Sequence, residues 1–134
     1  MIGYVTLGTN DIAMARAYYD ALLGSIGATR LMEFGDEVGG FTLWSTGWGN
    51  PGVAVTQPYD KQPAVAGNGN MVALVMDSRD KVDAFYAKGL ELGGTDEGPP
   101  GLRGEEGPQA FYGAYFRDPE GNKICAFRIG PAQA

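Results

Sequence analysis

The stretch that decides the fold lies close to the C-terminus and reads YFRDPEGNKIC from Tyr115 to Cys125. Strand-like residues run from Ala110 to Arg117 and from Lys123 to Ile129, and the segment Asp118–Gly121 between them has the sequence of a turn. Its proline fixes φ, and its glycine supplies permissive backbone. The pattern predicts two strands joined by a tight turn.

A module that begins with a strand and a helix is repeated along the chain. Tyr4-Val5-Thr6-Leu7 aligns with Met71-Val72-Ala73-Leu74, and Ala17-Tyr18-Tyr19 aligns at the same offset with Ala84-Phe85-Tyr86. In each copy an alternating run, typical of a strand, precedes apolar residues at helical spacing. The sequence therefore predicts two related modules.

Helices are predicted near residues 11–24 and 78–93. Polar residues able to cap their N-termini precede each helix, namely Asn10 or Asp11 and Asp77 or Ser78. The apolar faces consist of Ala15, Tyr18, Tyr19, Leu22 and Leu23 in the first helix and Val82, Phe85, Tyr86, Gly89 and Leu90 in the second. We expect both faces to be buried.

Further strand-like runs complete each module. In the first module they span 29–34, 40–45 and 53–57, and in the second they are the two runs beside the turn. The segment 98–108 is rich in glycine and proline, and we expect it to be a loop over one end of the second module. Two βαβββ modules with mixed sheets predict an α+β fold in a single domain, with module one at about 1–57, a linker at about 58–69 and module two at about 70–130.

Composition and charge restrict the classes of function. Of the 134 residues, 44% are hydrophobic and 19% are charged, values typical of a soluble globular domain. The formal net charge of -6, without any long basic run, disfavours nucleic acid and anionic membranes as partners. No apolar stretch approaches the roughly 18 residues that span a bilayer, and the N-terminus lacks a signal-peptide pattern. The one cysteine excludes an intrachain disulfide, and we expect a cytoplasmic protein.

The 115–125 motif and the repeated module resemble the glyoxalase / bleomycin-resistance / extradiol-dioxygenase family, also called the vicinal-oxygen-chelate superfamily. The resemblance covers nearly the whole chain. In that family two such modules pair so that curved sheets enclose a cavity, and the resemblance implies the same glyoxalase-like fold here. It also implies lyase-like or dioxygenase-like chemistry, in which a metal polarises vicinal oxygens.

The metal ligands that the family uses are replaced in this chain. The motif ordinarily closes with a glutamate ligand, and that position reads Cys125. The resemblance places the two usual histidine ligands at Tyr4 and Met71, and the chain contains no histidine. Phenol, thioether and thiol are not the usual ligands of the hard or borderline divalent ions that these enzymes bind. We therefore expect no metal at this position and no cofactor.

Strand alternation extends the family's cavity to further side chains. Thr6 shares a face with Tyr4, while Lys123 and Phe127 share a face with Cys125. Tyr115 stands on the preceding strand, at a position that often reaches substrate in the family. The ligand cavity that we expect is bounded by Tyr4, Thr6, Trp44, Met71, Tyr115, Cys125 and Phe127.

The choice of Trp44 rests on side-chain type rather than on parity. Either Phe41 and Leu43 or Thr42 and Trp44 face the cavity, and the sequence leaves the two settings open. We prefer Trp44 because large amphipathic aromatic residues commonly line apolar pockets.

Two classes of small-molecule function fit these residues, and a vestigial domain with a role in assembly is a third possibility. A metal-independent enzyme would use Tyr4 or Tyr115 as proton donor or oxyanion partner. A non-catalytic protein would sequester a planar or cationic aromatic compound, as bleomycin-resistance proteins of the family do, and the acidic composition favours a cation. If the ligand positions are misplaced, a metal-dependent lyase or dioxygenase remains open. Family analogy also predicts a homodimer.

Two polar features have a structural interpretation as well as a functional one. A nucleophilic Cys125 needs a general base to form thiolate, and the absence of histidine favours an inert buried thiol. Lys61 and Arg103 are loop cations able to meet an anionic ligand, although solvated charge is the default interpretation.

Overall fold

The computed structural model describes residues 1–132. The chain divides into two compact units, residues 1–68 and residue 69 onward, and the same order of elements occurs in both. The first unit contains β1 (Tyr4–Gly8), α1 (Ile12–Gly24), β2 (Thr29–Glu33), a 3-10 turn at Asp36–Val38, β3 (Thr42–Ser45) and β4 (Gly52–Thr56). The second contains β5 (Val72–Val75), α2 (Arg79–Glu91), β6 (Thr95–Leu102), β7 (Phe111–Arg117) and β8 (Lys123–Ile129).

Each unit is a four-stranded mixed sheet with one helix. The strand orders are β1-β4-β3-β2 and β5-β8-β7-β6. In each sheet the first strand pairs in parallel with the last, and the remaining neighbours are antiparallel. The prediction of an α+β fold built from two βαβββ modules is confirmed.

Both helices begin at a polar cap and bury the face that the apolar spacing predicts. The Asp11 side chain accepts a hydrogen bond from the Met14 amide at 3.0 Å, and Ser78 accepts one from the Lys81 amide at 3.2 Å. The buried residues of α1 are Ala15, Tyr18, Tyr19, Leu22 and Leu23, as predicted. Those of α2 are Val82, Phe85 and Gly89, while Tyr86 and Leu90 are half-buried.

The turn between β7 and β8 is held by a network of hydrogen bonds between buried polar groups. The Asp118 carboxylate accepts hydrogen bonds from the amides of Glu120 and Asn122, at 3.0 and 2.9 Å, and from the Asn122 side chain at 3.1 Å. Gly121 has a φ of 99°, which glycine adopts at little cost. Asp118 and Asn122 are both buried, so this motif serves the fold by satisfying its own polar groups.

The segment 98–108 is only partly a loop, which corrects the prediction. Its first residues, 98–102, belong to β6, an edge strand that pairs with β7 through two register shifts. Pro99 and Pro100 lack an amide hydrogen, so an edge strand is the position in a sheet that accepts them. The sequence hid this strand because glycine and proline are the residues that ordinarily mark loops.

Candidate functional site

One face of the second sheet carries most of the predicted site residues. The pairing of the strands places Ala73, Cys125 and Tyr115 side by side across β5, β8 and β7. Val75, Phe127 and Gly113 form the next row. The opposite face is covered by α2, whose Phe85 ring lies 5.9 Å from the ring of Phe116. We refer to the face turned away from α2 as the open face of the second sheet.

Tyr115 and Cys125 are strand partners on this open face. Cys125 is 1% exposed, and this burial raises the pKa of its thiol, although Tyr115 and the nearby cations oppose the rise. Burial also raises the pKa of Tyr115, so its hydroxyl stays protonated at neutral pH. The pair is therefore a protonated thiol beside a protonated phenol.

Two cations stand against the Tyr115 ring. The Arg103 guanidinium carbon lies 5.4 Å from the ring centroid, and Lys123 Nζ lies 5.5 Å from it. Arg103 directly follows β6 and Lys123 begins β8, the strands that flank β7 on its two sides. Both distances lie within the range of cation–π attraction. Tyr115 thus stands between positive charges brought from both neighbouring strands.

The Arg103 side chain is held in place by the backbone of β6. Its Nη1 donates to the Gly101 carbonyl at 3.0 Å, and its Nη2 donates to the Pro99 carbonyl at 2.7 Å. A Cβ atom at Gly98 would lie 3.3 Å from Nη2, and one at Gly101 would lie 3.3 Å from Nη1. These two glycines leave the space in which the guanidinium rests beside the strand.

Apolar and aromatic groups make up the rest of the open face. The rings of Phe111 and Phe127 stack with centroids 5.5 Å apart and an interplanar angle of 5°. Val75 is 71% exposed and Met71, directly before β5, is 46% exposed. Large apolar side chains exposed on adjoining positions are typical of a binding surface.

The first sheet has a smaller aromatic cluster on its corresponding face. Tyr4 is 55% exposed, and its ring meets Phe41 edge-on at 5.8 Å, while Phe34 lies 5.9 Å from Phe41. Thr6 is two residues from Tyr4 on β1 and is also exposed. The structure therefore keeps Tyr4 and Thr6 on one exposed face, as strand alternation indicates.

Trp44 lies on the opposite face, which corrects its predicted position. It is 1% exposed, its ring lies 5.9 Å from that of Tyr19, and its Nε1 donates to Asp20 Oδ1 at 2.9 Å. Tyr19 and Asp20 belong to α1, so Trp44 is part of the core beneath the helix. Phe41 takes its place on the aromatic face.

The residues at the three positions of the family's metal ligands do not fit a divalent metal. Tyr4 offers a phenol, Met71 a thioether, and Cys125 a buried thiol whose pKa is raised by that burial. Hard and borderline divalent ions take carboxylate, imidazole or thiolate donors. Across residues 1–132 there is also no cluster of three or more His, Cys, Asp or Glu side chains arranged to hold a metal ion.

A separate cleft of about 680 Å³ lies within the first unit and was not predicted. Its polar lining includes Asp36, Glu37 and Lys61, and Asn10 holds its rim by hydrogen bonds with the backbone of Ala64 at 2.7 and 3.2 Å. The turn residues around 36–39 and 58–63 predict loops, but nothing in their sequence indicates that these loops form a cleft.

Comparisons with known proteins agree with the fold. A family model described as the Glyoxalase/Bleomycin resistance protein/Dioxygenase superfamily matches residues 1–126. The crystal structure of a glyoxalase/bleomycin resistance protein from Albidiferax ferrireducens T118 is 35% identical, with a TM-score of 0.79, over 96% of this chain and 98% of that one.

More distant structures share the fold alone. A glyoxalase/bleomycin resistance protein/dioxygenase family enzyme from Burkholderia phytofirmans PsJN is 18% identical with a TM-score of 0.68, covering 95% of this chain and 97% of its own. The lactoylglutathione lyase from Agrobacterium tumefaciens is 17% identical with a TM-score of 0.64, covering 96% and 92%. Among curated proteins, no sequence matches this chain.

Proposed function

Since the chain belongs to the Glyoxalase/Bleomycin resistance protein/Dioxygenase superfamily, we propose that it binds a small planar organic molecule without the family's usual metal. The activities in the family's name all concern small molecules, and the family resemblance drawn from the 115–125 motif is confirmed. The observation that carries the proposal is the open face of the second sheet, where stacked aromatic rings adjoin a hydrogen-bonding phenol.

The apolar part of this face supplies the affinity. Met71 and Val75 are exposed, and the stacked pair of Phe111 and Phe127 offers flat aromatic surface beside them. Covering apolar surface contributes roughly 25 cal/mol per Å², before the costs of association are subtracted. A planar ligand gains most from such a surface because it buries area with few rotatable bonds.

The phenol supplies orientation. Tyr115 is protonated at neutral pH, so its hydroxyl can donate to a ligand carbonyl and can donate to or accept from a ligand hydroxyl. The same hydroxyl would be the proton donor in a metal-independent reaction. Binding is the better-supported function, because the protonated Cys125 thiol is a weak nucleophile and the chain has no histidine to activate it.

The local charge argues against one of the predicted ligands. The acidic composition favours a planar cation, yet Arg103 and Lys123 stand beside the phenol at which such a ligand would be oriented. Like charges repel, and the effect is strongest at close range. We therefore propose sequestration or turnover of a planar compound that is not cationic at this end.

A pair of matched variants tests the binding face. Ala73 is exposed beside Cys125 on the open face, and Ala87 is exposed on α2. Ala73→Trp covers the proposed surface, whereas Ala87→Trp adds the same side chain elsewhere in the same unit. Planar aromatic compounds should shift the amide NMR signals of β5, β7 and β8 in the parent and in Ala87→Trp, and not in Ala73→Trp. Equal shifts in both variants would refute this location.

We further propose a homodimer in the cytoplasm. The exposed apolar groups on both sheets support association, and the unpaired Cys125 suits a reducing compartment. Throughout the part of the chain that the structure describes, no helix has both the length and the apolar character needed to cross a membrane. Light scattering at micromolar concentration tests the association, and a monomer mass would contradict it.

A further inference from the structure

We propose that the ligand of the open face carries an anionic oxygen group, a carboxylate or a phosphate, which Arg103 and Lys123 hold beside Tyr115. This inference rests on the proposed function, because it names the class of small molecule that the second sheet takes. It replaces the solvated-charge interpretation of Arg103 with a binding role. It also reverses the sign of ligand charge that the overall composition suggests.

Most of the cations among residues 1–132 form ion pairs with carboxylates. The chain has 10 Lys and Arg against 16 Asp and Glu, so acidic partners are plentiful. Ion pairs with a carboxylate are formed by Arg16, Arg30, Arg79, Lys81, Lys88 and Arg117. The remaining cations are Lys61, Arg103, Lys123 and Arg128. Two of these four converge on the same tyrosine ring.

One acidic side chain of β6, the strand that precedes Arg103, is already paired with another cation. Glu97 on β6 forms an ion pair with Arg117 of β7. Arg117 is the strand partner of Lys123, and its Nη1 also donates to the Gly121 carbonyl at 2.7 Å. Glu97 and Arg117 therefore neutralise each other, and among the described residues the neighbouring Lys123 forms no ion pair but contacts the Tyr115 ring.

Arg103 is fixed in position before any ligand binds. Its two bonds to backbone carbonyls use one hydrogen on each terminal nitrogen and set the plane of the guanidinium. A guanidinium carries five N–H donors, so three remain for an anion. Carbonyl groups do not neutralise the charge, and a side chain that is already immobilised loses little entropy on binding.

Together these groups define a ligand with two parts. The stacked Phe111 and Phe127 rings accept a flat apolar body, while the two cations accept an oxyanion at the Tyr115 end of the face. Charge-assisted hydrogen bonds are about twice as strong as neutral ones. A neutral analogue of the same shape should therefore bind about tenfold more weakly.

The experiment compares three probes with the same ring system: 2-naphthoate, 2-naphthyl phosphate and the neutral 2-naphthamide. Titrations followed by amide NMR signals of β7 and β8 report affinity and location together. We expect at least one anion to bind about tenfold more tightly than the amide, with the stronger of the two identifying carboxylate or phosphate. Affinity for that anion should fall as salt is raised.

Variants distinguish the effect of these two cations from the effect of the net charge of the protein. Arg103→Gln and Lys123→Gln should each weaken the anion about tenfold and leave the amide unchanged. Lys81→Gln, on the exposed side of α2, changes net charge equally and should have no effect. Gly101→Ala keeps the cation but crowds Nη1, so it should weaken the anion by displacing the guanidinium. Dispersed amide spectra establish that each variant is folded.

The outcomes distinguish this inference from the function it rests on. If the amide binds as tightly as both anions, or if the Arg103 and Lys123 variants behave like Lys81→Gln, the anionic group is refuted while planar binding stands. If none of the three probes shifts the signals of the open face, both the inference and the proposed function fail.

Discussion

Gly89 is the residue at which a single methyl group should disturb the packing of the second unit most clearly. It lies in α2, is buried, and faces the β7 residue Phe116, which has no exposed surface. A Cβ atom added at Gly89 would overlap the Phe116 ring, with Cζ at 2.7 Å and Cδ2 at 2.8 Å. We predict that Gly89→Ala lowers the free energy of unfolding, although alanine is the better helix former.

The size of the effect follows from two opposing contributions. Alanine in place of a glycine inside a helix stabilises it by about 1 kcal/mol. Carbon atoms in contact prefer separations of about 3.5–4.0 Å, so the ring or the helix must move by about 1 Å. Phe85 blocks the ring on one side, with its centroid 5.9 Å away. Overpacking at this level costs about 3 kcal/mol, which leaves a net loss of about 2 kcal/mol.

Gly24 provides the matched control. It is the last residue of α1, and a Cβ atom added there would meet nothing within 4 Å. Gly24→Ala therefore gains the higher helix propensity of alanine and introduces no steric overlap. It should leave the free energy of unfolding unchanged or raise it by up to about 1 kcal/mol. Urea unfolding followed by circular dichroism at the helical band measures both variants against the parent. The reasoning is refuted if Gly89→Ala raises the unfolding midpoint as Gly24→Ala does.

Three further predictions concern charge, thiol reactivity and metal. The hydrogen bond from Arg30, assisted by that from Trp44, lowers the pKa of Asp20, so its stabilising contribution is present at neutral pH and is lost as the pH falls below about 4. Asp20→Asn should then lower the free energy of unfolding by up to about 1 kcal/mol at neutral pH, since the carboxylate is half-exposed and screened by solvent. The loss should be smaller in acid, and thermal unfolding measured across pH tests this. Burial raises the pKa of Cys125, so a chromogenic disulfide should react slowly with native protein and rapidly in denaturing urea; equal rates would contradict the buried thiol. Elemental analysis of protein purified without chelators should find no stoichiometric Zn, Ni, Mn or Fe, and one metal per chain would show that the ligand positions were assigned wrongly.

The modules were predictable because their signals are local. The residues that α1 buries follow from apolar spacing alone, and its cap is one of the two neighbouring residues that the sequence indicates. The strand boundaries around the 118–121 turn agree closely with the prediction, since β8 spans Lys123–Ile129. Edge strand β6 was missed because Gly98, Pro99 and Pro100 are tolerated there only by virtue of the sheet position, which no local pattern reveals.

The site was less predictable because its decisive contacts are distant in sequence. All four residues of β3 are buried, so alternation carries no signal for the face on which Trp44 lies. Its position depends on Asp20, a partner on another element. The sequence identified both cations beside Tyr115, Arg103 as a loop residue and Lys123 on the same strand face as Cys125. The contact of Arg103 with that ring depends on backbone bonds within β6 that spacing does not encode.

The broken ladder of β6 has a consequence for how this protein can diverge from its relatives. The strand lies at the outer edge of its sheet, its pairing with β7 is interrupted at two places, and none of its residues is buried. Exchanges in it that keep Asp96, the partner of the Tyr86 hydroxyl on α2, therefore disturb no core side chain. The same strand positions Arg103. Substitutions at 98–103 can therefore change ligand preference without changing the fold. We expect residues 98–103 to distinguish subgroups of the family better than the 115–125 motif, which serves the fold.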